Sequence, residues 1–369
     1  AYWNDELKFW VLSRFDDVLE GFRDYETFSS AGGVALENRR AIDQRPGDFH
    51  SMIEMDPPDH TQFRKLVGRV FTNRRVAAME DEIRAIFVGY LDRVADAGRA
   101  DVVADLSSPF PMDVICASLG VRESDRAELC SYSDKVLIRE DGSMRIPHVA
   151  AEGMFALIQY FIDDFAARRS VGVDKSDPGL VAELLELEVD GRSLTDEELL
   201  GFCTLFIIAG HETTTKMVAN AVELLSHHPE QQAAVAADLD LVPGLIEEVL
   251  RFHNSTQYMH RTLTRDTEIH GQAMLAGQSV LLLVGAANHD EREFGASAEE
   301  FDIERTPDRH LGFGYGAHFC MGAALARMEG KIAMEEIMGR IGNFEVDHAA
   351  KVRFHSGNVT GWSSLPITF

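Results

Sequence analysis

The sequence predicts a mostly α-helical fold with minor β-structure, and three observations support this class. The first is a helical pattern that runs from Thr195 to His228, about 34 residues or roughly 50 Å as an α-helix. The second is that strand signals are confined to 7–12, 267–283 and a tail hairpin over 352–369. The third is helical periodicity in many further segments, namely 76–97, 107–119, 124–138, 148–169, 230–237, 243–252 and 321–340.

The first third of the chain alternates short elements with loops. Residues 7–12 predict a strand, 14–24 predict a short helix, and 31–50 predict a loop rich in glycine and charge. In the next segment, "DPPDHTQFRKLVGRVF", Asp56 is expected to cap a helix whose first turn contains two prolines.

The long helix has clear end signals and an unusual centre. Thr195 and Glu198 form a T-x-x-E capping box, and Pro229 ends the pattern. In its middle, "AGHETTT" places Gly210, an acid and three threonines where packing alone favours leucine, and Gly210 costs about 1 kcal/mol relative to Ala. Hydroxyls of Thr213 and Thr214 can bond to carbonyls one turn earlier and bend the helix. Two explanations fit this stretch equally well. One is a kinked helix that tolerates polar residues, and the other is an acid–alcohol pair that delivers protons.

Composition excludes several classes of partner. The formal charge is −26 and stays negative even with all 14 histidines protonated, which disfavours binding to nucleic acid or to an anionic membrane. Four cysteines without a C-x-x-C pair predict a reducing, cytoplasmic setting. The apolar stretch 199–210 is shorter than the roughly 18 residues of a membrane span, so none is expected.

The organisation predicted is one domain over 1–369, because no repeat, low-complexity run or linker interrupts it. The first residues lack the pattern of a signal peptide. The chain opens in a strand pattern without an initiator methionine, so N-terminal residues are expected to be missing from the sequence. A monomer is expected.

The segment "FGYGAHFCMG", residues 313–322, surrounds one cysteine with three glycines. Glycine costs conformational entropy, so the backbone must turn tightly or approach something closely. By itself the segment fits either a glycine-rich turn with a buried cysteine or a loop that presents one sulfur to a metal.

Charged residues elsewhere have two interpretations each. Glu248 and Arg251 lie at i,i+3 on one helix face, where an exposed pair contributes a few tenths of a kcal/mol but a buried one would fix architecture. Taken singly, four cationic residues are more often surface groups; together they offer donors to a dianionic ligand. They are His60, Arg64, Arg261 and His310.

These motifs together resemble those of the bacterial cytochromes P450, over nearly the whole chain. The segment 313–322 fits F-G-x-G-x-H-x-C-x-G, "AGHETT" fits A-G-x-[D/E]-T-T, and "EEVLR" fits E-x-x-R. "MDPPDHTQFRKLVGRVFT", "AANHDEREF" and "FDIERTPDRHLGFG" are similar to further stretches in the same order. The resemblance implies the cytochrome P450 fold, with a long central distal helix over haem b.

The resemblance also implies a role for each matching residue. Cys320 would be the axial thiolate of the haem iron, and the buried triad would be Glu248, Arg251 and Arg305. Glu212 and Thr213 would relay protons to dioxygen, and His60, Arg64, Arg261 and His310 would bond the haem propionates. The other residues expected to contact haem are Phe71, Ala209, Gly210, Phe313, Gly314, His318, Gly322 and Ala326, with Met52 and Ile53 at its edge.

The expected activity is insertion of one oxygen atom from O₂ into an apolar small molecule, with electrons from a ferredoxin-type donor. A basic docking patch is expected at Lys65, Arg69, Arg74, Arg75, Arg327 and Lys331. A peroxide-driven oxygenase, an isomerase and a haem sensor remain as alternatives, but Glu212 and Thr213 count against them. The sequence departs from the family pattern at Asn254, Ser255, His289 and Glu291. The substrate pocket is expected from 31–50, 133–180, Leu205, Phe206, Ala209, 255–259 and 359–362.

Overall fold

The computed structural model describes residues 1–42, 51–69, 71–140, 143, 145–172, 179–189 and 191–369. The predicted loop and pocket segments 31–50 and 133–180 therefore lie partly outside the described residues.

Helices form most of the described chain, as predicted. Those in the first half are α1 (Phe15–Arg23), α2 (Asp59–Val67), α3 (Asn73–Ala78), α4 (Glu80–Leu91), α5 (Pro109–Leu119), α6 (Glu123–Val136), α7 (His148–Val171) and α8 (Leu180–Glu186). Those in the second half are α9 (Asp196–His227), α10 (Pro229–Ala237), α11 (Val242–Phe252), α12 (Val284–Ala287), α13 (Glu291–Phe294) and α14 (Ala323–Arg340).

The β-structure is divided among small sheets. Its strands are β1 (Tyr2–Asn4), β2 (Phe9–Leu12), β3 (Phe28–Ser29), β4 (Arg99–Asp101), β5 (Glu188–Val189), β6 (Arg192–Ser193), β7 (Met259–Leu263), β8 (Thr267–Ile269), β9 (Gln272–Met274), β10 (Ser279–Leu282), β11 (Glu345–Val346), β12 (Val352–Arg353), β13 (Trp362–Ser364) and β14 (Pro366–Thr368). The largest sheet has the order β1-β2-β10-β7-β3, in which only β2 and β10 run parallel. Its pairing sets Val280 opposite Arg261, which places that arginine beside the functional site.

Three local predictions are corrected. Asp56 does not cap α2; its carboxylate accepts hydrogen bonds from the Ser29 hydroxyl and the Ser30 amide, while Pro58 occupies the capping position. The tail is more than one hairpin, because β12 pairs with β13 but β14 pairs with β4 and β11. No segment was expected to be long and apolar enough to span a membrane, but Val102–Leu119 is so by length and composition. Of this segment, 67% is buried inside the protein.

Helix α9 crosses the protein and organises its core. The predicted capping box is present, since the Thr195 hydroxyl accepts from the Glu198 amide at 3.2 Å and the Glu198 carboxylate accepts from the Thr195 amide at 3.0 Å. Helices α5, α6, α7, α11 and α14 pack around α9. A side chain at Gly210 would approach Ile115 Cδ1 of α5 to 2.6 Å, so this glycine permits close helix packing.

Glu248 and Arg251 form a buried pair rather than an exposed one. Both side chains are fully buried, and two hydrogen bonds of 2.6 and 2.7 Å join them. Arg305 reaches the same carboxylate at 3.2 Å. Arg251 also donates to the carbonyl oxygens of Asn288 and Ala298, so the group fixes the chain that leads to the cysteine loop.

Candidate functional site

A largely apolar cavity lies between α9 and the cysteine loop. One wall comes from α9 and includes Leu205, Phe206, Ala209, Gly210 and Thr213. The opposite wall consists of the cysteine loop and the first turns of α14, and the remaining sides come from α2, β7 and the segment after α11. Of the residues predicted to contact haem, the following line this cavity: Met52, Ile53, His60, Arg64, Ala209, Gly210, Arg261, Phe313, Gly314, His318, Cys320, Gly322 and Ala326.

The glycines give the cysteine loop its shape. Gly314 and Gly316 have φ values of +67° and +69°, which side-chain-bearing residues rarely adopt. A Cβ at Gly316 would also lie 2.7 Å from the Phe22 carbonyl oxygen. The Cys320 amide donates to the Phe313 carbonyl at 3.0 Å and closes the loop.

The Cys320 sulfur faces the cavity close to the start of α14. This helix begins at Ala323, two residues later than predicted. Burial raises the pKa of the Cys320 thiol, while the Gly322 amide, Arg64 and Arg327 act in the opposite direction. A positively charged metal bound at the sulfur would shift the balance to the thiolate.

Four cationic or imidazole side chains converge at one side of the cavity. They are the buried His60 and Arg261 and the half-buried Arg64 and His318. His60 is 1% exposed, and among the described residues neither of its ring nitrogens has a hydrogen-bond partner. Its ring lies 4.2 Å from that of His318. Within the described residues, no carboxylate forms an ion pair with Arg261, which is 3% exposed.

The electrostatics of this cluster fit an anionic ligand. Burial lowers the pKa of Arg261 to about 10. Burial, and then Arg64, lower the pKa of His60 to about 4. Burial, followed by Arg261 and His60, lowers that of His318 to about 2. A buried polar side chain without a partner, such as His60, is costly, and an anion such as a haem propionate would accept hydrogen bonds from this cluster.

Two predicted haem contacts do not reach the cavity wall. His310 Nε2 lies 3.0 Å from a Glu247 carboxylate oxygen, and its Nδ1 accepts from the Gly312 amide. Phe71 packs edge-on against Phe206, with ring centroids 5.3 Å apart, and so lies behind the wall. His318, which is also a predicted haem contact, does line the cavity.

The two members of the acid–alcohol pair on α9 lie in different places: Thr213 faces the cavity and Glu212 is buried in the core. Thr213 lines the cavity, and its hydroxyl donates to the Ala209 carbonyl at 2.6 Å, as its position on the helix predicts. Thr214 does not bond to the backbone; its hydroxyl lies 3.5 Å from a Glu329 carboxyl oxygen.

Glu212 lies behind the cavity wall and is 3% exposed. Its Oε2 atom is 2.9 Å from Lys216 Nζ but makes no aligned hydrogen bond, so charge holds the pair together. Asp134 of α6 approaches from the solvent side. Burial, and then the charge of Glu212, raise the pKa of Asp134 to about 7.

A buried acid on α14 is absent from the predicted site residues. Glu329 lines the cavity at 2% exposure, and among the described residues its Oε1 atom has no hydrogen-bond partner. Burial raises the pKa of Glu329 well above its usual value. A sequence signal existed, because Glu329 lies four residues after the buried Leu325 and four before the buried Ala333.

Two of the departures from the family pattern, Asn254 and Ser255, form a polar strip in the cavity. Ser255 donates to the carbonyl oxygen of Thr213 at 2.8 Å, and Asn254 donates to that of Thr256 at 2.7 Å. Thr256 also lines the cavity. The strip faces apolar residues such as Ile115 and Leu205.

Comparison with known proteins identifies the family. A family model described as "Cytochrome P450" matches residues 10–358. The chain is 40% identical to cytochrome P450 123 of Mycobacterium tuberculosis, over 100% of this chain and 90% of the relative. It is 37% identical to cyclomarin C epoxidase CymV of Salinispora arenicola, over 98% and 90% of the two chains.

A solved structure of CYP109E1 from Bacillus megaterium in complex with corticosterone superimposes with a TM-score of 0.86 at 30% identity. The match covers 100% of this chain and 94% of that chain. The fold class predicted from the sequence is thereby confirmed. The chain belongs to the cytochrome P450 family, and it is a haem b monooxygenase that oxidises small molecules.

Proposed function

We propose that this enzyme inserts one oxygen atom from O₂ into an apolar small molecule, with electrons from a separate ferredoxin and reductase. The observation that carries the proposal is Thr213 on the cavity wall opposite Cys320, with Glu212 next to it in α9. Consuming O₂ requires protons at the reacting centre, and an acid beside an alcohol can supply them. A peroxide-driven oxygenase, an isomerase or a haem sensor has no need for this pair.

The residues of the cavity divide into those that would hold haem and those that would act on protons. Cys320 would ligate the iron, and His60, Arg64, Arg261 and His318 would bond the two propionates. When bound, the haem supplies the one-electron and O₂ chemistry. Thr213 would hand protons to the cavity by turning its hydroxyl away from the Ala209 carbonyl. Glu212 would resupply them from behind the wall.

The cavity favours a substrate that is mostly apolar and carries a polar group. Leu205, Phe206 and Ile115 offer apolar contact, while Asn254 and Ser255 offer a polar strip. Buried polar groups discriminate strongly against ligands that leave them unpaired. We therefore infer a lipid-, steroid-, terpenoid- or polyketide-like substrate. The corticosterone named for CYP109E1 belongs to this range of molecules.

Composition supports the remaining parts of the proposal. The net charge of −26 disfavours nucleic acid and anionic membranes as partners. We infer a monomeric, cytoplasmic enzyme that forms one domain over residues 1–369.

Turnover with different electron sources tests the proposed reaction. A candidate substrate is first chosen by the shift of the haem absorption band on binding. We expect oxygenated product with NADPH, a ferredoxin reductase and a ferredoxin, and at least ~10-fold less with peroxide alone, because Glu212 and Thr213 serve O₂ activation. Efficient turnover with peroxide and none with ferredoxin would contradict the proposal. Isomerised product without NADPH consumption would identify an isomerase instead.

Several residues of the expected docking patch for the ferredoxin form ion pairs within the chain. Arg75 pairs with Glu183 at 2.6 Å, Arg327 pairs with Glu247 at 2.6 Å, and Lys331 lies 3.5 Å from Glu80. By contrast Arg69 and Arg74 are exposed, and within the described residues no carboxylate pairs with either. Helix α3, which carries Arg74, packs against α14 close to the cysteine loop.

Charge reversal at Arg74 is expected to slow reduction by an acidic ferredoxin. Arg74→Glu should lower the rate on the order of 10-fold at low salt, because an exposed charge steers association, and salt should diminish the difference. Stopped-flow measurement of haem reduction checks this. Arg122→Glu, at the residue just before α6 and outside the patch, serves as the control. Equal rates for wild type and Arg74→Glu at low salt would remove Arg74 from the docking surface.

A further inference from the structure

A cluster of metal-binding side chains lies on the far side of α9 from the cavity. Cys130 and Asp134 are four residues apart on α6, and His211 lies on α9 with 0% exposure. His211 Nε2 is 3.9 Å from Cys130 Sγ, and His211 Nδ1 is 3.8 Å from Asp134 Oδ1. One donor atom from each residue lies within 4.8 Å of those of the other two.

Near this cluster, carboxyl groups outnumber the ammonium groups that pair with them. Two carboxyl groups, Asp134 and Glu212, approach each other here. Lys216 is the ammonium paired with them, and its contact is to Glu212 at 2.9 Å. Burial and this crowding raise the pKa of Asp134 to about 7, as expected where one more positive charge would be stabilising.

We propose that Cys130, Asp134 and His211 form a binding site for a thiophilic divalent cation such as Zn²⁺ or Cd²⁺. Thiolate, imidazole and carboxylate are the ligand types that zinc prefers, and three protein ligands leave a fourth position for water. The 3.9 Å between sulfur and nitrogen is close to the separation of two ligands in a tetrahedral zinc site, roughly 3.6 Å from bond lengths of about 2.3 and 2.0 Å.

The surroundings of His211 meet the other requirements of a metal site. Ser133 Oγ lies 3.0 Å from Nδ1 and can accept the proton of that nitrogen, which leaves Nε2 to bind the metal. Asp134 has a side-chain exposure of 49%, so an ion can enter from solvent. Metal binding must overcome two opposing factors. Cys130 has to lose its proton, although burial raises the pKa of that thiol to about 12. His211 Nε2 also has to give up its contact of 3.1 Å with the Ser108 carbonyl oxygen.

Calorimetric titration of the haem-loaded enzyme with ZnCl₂ and CdCl₂ tests the site. We expect one site in wild type and more than about 10-fold weaker binding in Cys130→Ser and Asp134→Asn. His348→Ala is the matched control, because it removes the second metal-capable cluster among the described residues, Glu223–His227–His348. Unchanged binding in Cys130→Ser, or binding lost only in His348→Ala, would overturn the proposal. An intact carbon monoxide spectrum shows that each variant is folded.

Discussion

Replacing Cys320 with serine is expected to abolish oxygenation and to remove the strongly red-shifted absorption band of the reduced carbon monoxide complex. The band and the reactivity both require a thiolate on the iron. A serine hydroxyl does not ionise in this buried position, where burial raises even the pKa of the thiol. The measurement is a difference spectrum of dithionite-reduced protein with and without carbon monoxide, normalised to haem content.

Cys130→Ser is the matched control for this experiment. It makes the same atomic change on α6, outside the cavity wall, so the red-shifted band should persist. A wild-type spectrum that lacks the band in freshly prepared, intact protein would contradict the assignment of Cys320. Such a result would also remove the basis for assigning a haem to the cationic cluster of His60, Arg64, Arg261 and His318.

Long elements of this fold are predictable because their signals are local and repeated. For α9, the capping box at Thr195 and Glu198 and the proline after His228 fix both ends to within a residue. The strand β7 and the helix α8 were missed, because five and seven residues are too few to establish a period. Strand β7 exists because β10 and β3 pair with it, which only the tertiary structure determines.

The site was predictable where a motif specifies backbone shape. The resemblance of residues 313–322 to the family's cysteine motif predicts a loop that presents the Cys320 sulfur, and the positive φ values of Gly314 and Gly316 fit such a loop. The orientation of His310 depends on a partner from another element. Glu247 of α11 holds His310 together with Arg327, and nothing near His310 in the sequence indicates this pairing.

Groups that meet across helices could not be predicted from one segment at a time. The buried ion pair between Glu212 and Lys216, one helical turn later, is not among the predictions made from the sequence. Asp134 reaches the same carboxyl from α6, some eighty positions away in the chain. The buried polar network around the proton-relay residues is therefore a property of helix packing.

Replacing Thr213 with alanine is expected to uncouple electron use from product formation. NADPH oxidation should continue at a similar rate, while product per NADPH falls by at least ~10-fold and peroxide accumulates, because the cavity loses its proton-donating hydroxyl. Product, peroxide and NADPH are measured in the same reaction. Thr213→Ser keeps the hydroxyl and should restore most of the coupling. Coupling that stays intact in Thr213→Ala would show that the relay assignment is wrong.

Glu212→Gln separates the supply of protons from their delivery. The amide has nearly the shape of the acid but carries no transferable proton, so both NADPH oxidation and product formation should fall by roughly 10²-fold while coupling changes little. The amide also removes the charge of the acid that contacts Lys216, which is 3% exposed, and loss of this ion pair costs stability. Lys216→Met combined with Glu212→Gln relieves that cost. If the double variant regains stability while its turnover stays slow, the slow rate is due to the lost proton. If both stability and turnover recover, the Glu212–Lys216 pair has only a structural role.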